Sequence, residues 1–252
     1  MWRTGTGDNT YNIFSSTGKI KCEGDIRSLV KPIALEDYSY FSRGLFVSCA
    51  YLTTAPKLPS TISTKRCYGG MFYNCKFLTT APVLPATTAA ERCYGHMFAG
   101  CTSLTQAPDL PATTLAKYSY SNMFNGCTSL TTAPNISAAT LADYCCEYMF
   151  TGCTSLTQAP SILPATTLAN KCYYEMFRGC SSLTKAPELP ATTVASSCYQ
   201  SMFHNCTSLT QAPSILPATT LAPYCYSAMF KGCTSLVQAP ELSATTTAPQ
   251  CC

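Results

Sequence analysis

Between Thr88 and Leu110 the apolar residues Ala90, Cys93 and Met97 recur at spacings of three and four, the pattern of one buried stripe on an α-helix. Thr88 carries an N-cap side chain, and Glu91 three residues later completes a capping box, so the pattern predicts a helix that starts there. Gly100 is the expected stop, because glycine tolerates the left-handed conformation at the end of a helix. After that turn Cys101, Leu104, Ala107 and Leu110 place apolar side chains along a short extended segment closed by Pro108 and Pro111. Stacked copies of this segment would pair as a parallel sheet with Thr, Gln and Lys facing outward.

The same pattern recurs along the chain. Aligned on the Cys of its turn it gives Cys49, Cys75, Cys101, Cys127, Cys153, Cys180, Cys206 and Cys233, with five intervals of 26 residues and two of 27. Both longer intervals contain PSILP, at Pro160 to Pro164 and Pro213 to Pro217, where another copy has PDLP at Pro108 to Pro111. The added residue falls in a loop and leaves the register intact. The Thr88 slot is filled by Thr114, Thr140, Thr167, Thr193, Thr220 and Thr246. The Gly100 slot holds Gly126, Gly152, Gly179 and Gly232, with Asn74, Asn205 and, as an exception, Ser48 in the others. A fixed period in the twenties marks a solenoid whose units pack only on their neighbours. The expected fold is a single right-handed α/β solenoid of about 26 residues per repeat, with one short parallel strand and one helix per unit. Residues 1–44 are less regular: Ile26, Leu29 and Ile33 suggest half a repeat, and a turn from Ser15 to Gly18 suggests a hairpin. They are expected to form an N-terminal cap, with the repeat solenoid over 45–252 ending in mid-repeat. Leu236, Ala239 and Leu242 would then present an apolar edge, so further repeats or an assembly partner are expected at the C-terminal end.

The run MFAGCTSLTQAPDLPATTLA and its copies resemble the BspA-like leucine-rich repeats of bacterial surface proteins. The likeness covers roughly residues 41 to 252, and its most specific element stands at Met97 to Thr105 and Met149 to Thr157. It implies a leucine-rich-repeat-type solenoid and an extracellular, cell-surface or virion-surface protein used in adhesion, similar repeats being found in phage-encoded proteins. This chain departs from the shorter unit of many members by having a longer helix, with a second Cys near its start.

Charge narrows the function. Only 11% of residues are charged, and the net charge of +4 comes from 16 basic and 12 acidic residues with no block of like sign, so nucleic acid is not an expected partner. The N-terminus lacks the basic start and apolar stretch of a secretory signal, and no segment has the roughly 20 apolar residues of a membrane span.

Fifteen of the 18 cysteines form two rows. Besides the turn row there is a second at Cys67, Cys93, Cys145, Cys172, Cys198, Cys225 and Cys251, with Ser119 and Phe41 standing in two units. The rows lie eight residues apart within a unit, about 12 Å along a helix, too far for a disulfide. Reduced, buried thiols packing as small apolar groups are therefore expected. Short metal-ligand spacings are missing within a unit, and no metal or cofactor is expected. His96 and His204 occupy different slots of non-adjacent repeats, without a catalytic partner at a defined spacing, and are read as exposed helix residues. Asp109, Glu188 and Glu241 share one loop slot in separate repeats and form no carboxylate pair. The tyrosines at 68, 94, 120, 173, 199 and 226 could form a sugar platform but suit packing between units better.

The positions that vary while their neighbours do not are the candidate ligand-binding residues. The outward strand slot reads Thr54, Thr80, Gln106, Thr132, Gln158, Lys185, Gln211 and Gln238, and the slot after the Pro contributes Asp109, Asn135, Glu188 and Glu241. The expected function is non-enzymatic recognition of a protein or glycan on a host or neighbouring cell through this polar face. The alternative is a structural spacer in a surface fibre or phage tail appendage.

Overall fold

The computed structural model describes residues 18–22, 44–58, 64–84 and 86–252. Over these, equivalent positions of successive repeats lie side by side in parallel columns. One column runs Thr54, Thr80, Gln106, Thr132, Gln158 and continues from Lys185 to Gln211. A second, around the proline loop, pairs Leu110 with Ile136 and Ile162 with Glu188. The third pairs Thr167 with Thr193 and Thr220 with Thr246.

The named strands are longer pieces of these columns. They are β1 (Ile20–Lys21), β2 (Leu52–Thr54), β3 (Thr88–Ala89), β4 (Thr114–Leu115), β5 (Thr140–Leu141), β6 (Ile215–Leu216) and β7 (Glu241–Leu242). All pair in parallel, β1 with β2, β3 with β4 and β5, and β6 with β7. Ile20 lies opposite Leu52, and the Thr53 hydroxyl donates to the Ile20 carbonyl at 2.9 Å, so residues 20–21 act as a rung of the first column. Most of the expected N-terminal cap, including residues 11–14 of the hairpin and Ile26, Leu29 and Ile33, lies outside the described residues.

The expected helix does not form. Among the described residues there is no helix, and each predicted helical segment is a run of tight turns. From 90 to 101 every second amide bonds three residues back: Cys93 N–H to Ala90 O, Gly95 to Arg92, Met97 to Tyr94, Ala99 to His96 and Cys101 to Phe98. The intervening amides point sideways into the next repeat, Arg92 to Lys117 O, Tyr94 to Ser119 O, His96 to Ser121 O, Phe98 to Met123 O and Gly100 to Asn125 O. Every fourth residue takes a left-handed φ, 56° at Arg92, 57° at His96 and 75° at Gly100.

The physical reason lies in where the amides go. An α-helix spends its amides internally, i to i−4, and meets its neighbour through side chains alone. Here half of them bond the adjacent repeat, each worth about 0.5–1.5 kcal/mol net, which offsets the roughly 1–2 kcal/mol cost of each left-handed residue. The side chains fit the same choice. Cys93 and Tyr94, then Met97 and Phe98, are buried as adjacent pairs four residues apart. A helix would rotate the second pair about 40° out of line with the first, whereas a four-residue turn keeps them aligned. Consequently Thr88, Thr114 and Thr140 are strand residues of β3, β4 and β5 rather than helix caps.

Stacking continues through the core. Phe46, Phe72, Phe98, Phe124, Phe150, Phe177, Phe203 and Phe230 form one column with ring centroids 5.3 to 5.7 Å apart. At the last repeat burial falls away: Leu242 is 47% exposed and Val237 86%, while Leu216, one repeat earlier than Leu242, is 4% exposed.

Candidate functional site

The strand-slot residues do come together. Gln106 lies between Thr80 and Thr132, and Thr132 lies next to Gln158, so their side chains make a ladder one rung per repeat. Thr80, Gln106, Thr132, Gln158, Lys185, Gln211 and Gln238 are exposed, and Thr54 is half-buried. Their sequence neighbours do something else: the Thr79, Thr157 and Thr210 hydroxyls donate to the carbonyls of Thr53, Thr131 and Thr184 in the preceding repeat at 3.3, 3.1 and 3.1 Å. The threonines beside the row therefore stitch rungs together, and the row itself varies over that backing.

The proline-loop slot is less uniform. Asp109, Asn135 and Glu241 are exposed, but Glu188 is half-buried, and its carboxylate accepts from the Ser214 hydroxyl at 3.0 Å and the Ser214 amide at 3.3 Å. Glu188 is thus partly committed to the next repeat.

The thiols have a structural task. In the turn row from Cys75 onward each Sγ–H donates to the Phe carbonyl of the repeat before it, Cys101 to Phe72 and Cys127 to Phe98 at 3.1 Å, and Cys206 to Phe177 at 3.1 Å. Burial pushes the Cys180 thiol up to about 12 and keeps it protonated, as that bond requires. The second row contains one close pair, Cys67 and Cys93, with sulfurs 3.1 Å apart. Their contact holds Cys67 below the ordinary thiol range. The Tyr row packs inside: Tyr68, Tyr94, Tyr120, Tyr173 and Tyr199 are at most 1% exposed, with neighbouring rings 5.6 to 5.8 Å apart, so they offer no sugar platform. Among the described residues no group of three or more His, Cys, Asp or Glu could hold a metal ion, and no helix is long and apolar enough to cross a membrane.

The sequence reading missed a groove of about 640 Å³ along the turn segments of the first repeats. Arg66, Arg92 and Tyr118 occupy successive rungs of one of its sides. Its floor is Gly69, Gly70 and Gly95, and Ser121 and Glu147 continue the Gly69 and Gly95 slot at the far end. Later repeats fill that slot with Tyr174, Gln200 and Ser227. The signal was present in the sequence as two glycines where other copies carry side chains. It becomes a groove only once the slot is known to face outward from a ladder of turns. His96, read as an exposed helix residue, is exposed on a turn of this groove.

Arg92 lies over the Tyr118 ring at 4.6 Å, and Tyr118 stacks on Tyr144 at 4.8 Å. Beyond it Lys171 lies over Tyr144 and Tyr174 at 5.7 and 5.3 Å. The Tyr118 and Tyr144 rings are therefore held between the cations of Arg92 and Lys171 along this edge. Ser121 donates to Glu147 at 3.1 Å, while burial raises the Glu147 carboxyl above its usual range.

The family model for a BspA type leucine rich repeat region matches in six copies, over residues 25–157, 70–210 and 120–248. Among solved structures, a leucine-rich repeat protein from Bacteroides ovatus is 20% identical with a TM-score of 0.40, the match covering 74% of this chain and 43% of that one. This chain therefore spans under half of that protein's length. A leucine rich cell surface protein from Faecalibacterium prausnitzii is 16% identical with a TM-score of 0.27, covering 95% of this chain and 92% of that one. No curated protein matches the sequence.

Proposed function

The chain belongs to the BspA-type leucine-rich repeat family, and from that premise we propose that it is a non-enzymatic, surface-exposed recognition module that binds a protein or glycan through its strand-column face. The observation that supports this most is the ladder from Thr54 through Gln158, continued by Lys185 and Gln211. Its backbone register is constant while its side chains differ from rung to rung. A fixed spacing with variable chemistry is what a solenoid needs to encode a partner. A cell-surface or virion-surface location and a partner on a host or neighbouring cell belong to the same proposal.

The test is an array of glycans and extracellular proteins probed with the wild-type chain and with a variant carrying Gln106→Ala, Gln158→Ala, Lys185→Ala and Gln211→Ala. Binding to a defined subset that the variant loses supports recognition by this face. One observation favours the second reading, a structural spacer: the unbroken Phe46 to Phe230 stack, backed by amide bonds between repeats, makes a stiff rod. A spacer would show the same empty array for both proteins.

A further inference from the structure

We propose that the groove over the turn segments, from Arg66 to Glu147, is a second binding site that takes an oligosaccharide ending in an acidic sugar, its carboxylate held by Arg66 and Arg92. The site is separate from the strand-column face and does not depend on that reading.

Arg66 and Arg92 stand on successive rungs, whose backbones lie about 5 Å apart by strand spacing, and both line the groove. The neighbouring carboxylate of Glu91 is engaged by Lys65 at 2.8 Å. The Arg66 Nε, buried from solvent at the groove, has no hydrogen-bond partner. A buried N–H left unpaired costs about 1–3 kcal/mol, so Arg66 gains from a side-chain rotation that brings this N–H to a carboxylate oxygen in the groove. The planar fork of arginine matches a carboxylate in a way that lysine does not. Arg92 is preorganised for this, since Tyr118 supports its guanidinium at 4.6 Å.

The rest of the groove selects the ligand's body. Val47 is the one aliphatic side chain among its lining residues, so it offers little to an apolar peptide. His96 and Asn122 provide polar groups suited to hydroxyls, and the exposed Tyr73 provides a ring face for the C–H side of a pyranose. Gly69 and Gly95 leave the floor open for close approach; a Cβ at either would come within 3.3 Å of a carbonyl oxygen of the next repeat. Glu147 stands three rungs from Arg66, about 14 Å away by strand spacing. A second negative charge is disfavoured there, whereas a sugar hydroxyl can donate to its carboxylate. The groove thus suits a chain with its acid at one end and neutral sugars behind it, rather than a uniformly charged polymer.

The experiment titrates the full chain calorimetrically with sialyllactose and with cellobiouronic acid, alongside lactose and cellobiose as their neutral parents. At least one acidic sugar should bind, with its neutral parent at least tenfold weaker. Arg66→Gln and Arg92→Gln should each weaken binding at least tenfold. Gly95→Gln, which places there the residue found at the equivalent Gln200, should abolish it in a chain that still folds. Gln158→Ala on the strand face should leave it intact. Neither acid binding at millimolar concentration would overturn the proposal. So would equal binding of acid and neutral parent, wild-type affinity in a folded Gly95→Gln variant, or full competition by inorganic sulfate.

Discussion

Gly126 sits at φ 72° with its Cβ direction open, the nearest atoms being Gly100 backbone at 3.9 Å and beyond. Its requirement is therefore conformational rather than steric. Asn74 and Asn205 fill the same slot at φ 58° and 60°, and Ser48 at 55°. A polar residue is tolerated there, and a β-branched one is not. Gly126→Val should destabilise by more than about 1 kcal/mol, and Gly126→Asn by less, in paired thermal or urea melts. The left-handed turn at this slot was legible in the sequence because Gly and Asn mark it. The equally left-handed Arg92, His96, Tyr118 and Tyr144 carry no such mark. Their conformation is imposed by bonds to the next repeat. At the same scale, Cys67 and Cys93 are the pair set closest for oxidation, with sulfurs 3.1 Å apart. Under mild oxidant, peptide mapping should find the Cys67 to Cys93 disulfide first and the turn-row thiols last. Early loss of Cys127 or Cys153 would contradict the packing described.

At the level of the element, the unit is three short parallel contacts joined by a ladder of turns. Ala90, Cys93 and Met97 were read as one buried face, and Cys93 and Met97 are fully buried with Ala90 packed against the core. The buried residues were legible and the element was not, since spacings of three and four suit a helix and a four-residue turn alike. What decides between them is cross-repeat hydrogen bonding, which no single unit reveals. The proline-loop and Thr-Thr contacts escaped for a related reason: a pairing of two residues is set by stacking, not by propensity. The Phe column should carry much of the stability. Phe124 lies between Phe98 and Phe150, at 5.5 and 5.4 Å. Phe124→Ala should cost about 3–5 kcal/mol, and Phe124→Leu distinctly less, by chemical denaturation.

For the whole molecule, the thiols couple stability to pH. Burial pushes Cys75, Cys127, Cys180 and Cys198 each up to about 12 from an ordinary value near 9. With folded values raised, the native state holds more protons than the unfolded chain between those limits. Their contribution is complete below about pH 8 and is lost as pH rises through 9 toward 12. The melting temperature should be nearly flat across the neutral range and fall steeply above about pH 9. Replacing the turn-row cysteines by serine should flatten that alkaline limb.

The stack is held by ladders of turns and short parallel strands, with amides such as those of Tyr94, His96 and Phe98 bonded to the next repeat. Far-ultraviolet circular dichroism of the purified chain reads this most directly. The spectrum should be that of strand and turn, without the paired minima of an α-helix. A strong helical signature would contradict it and restore one helix per repeat.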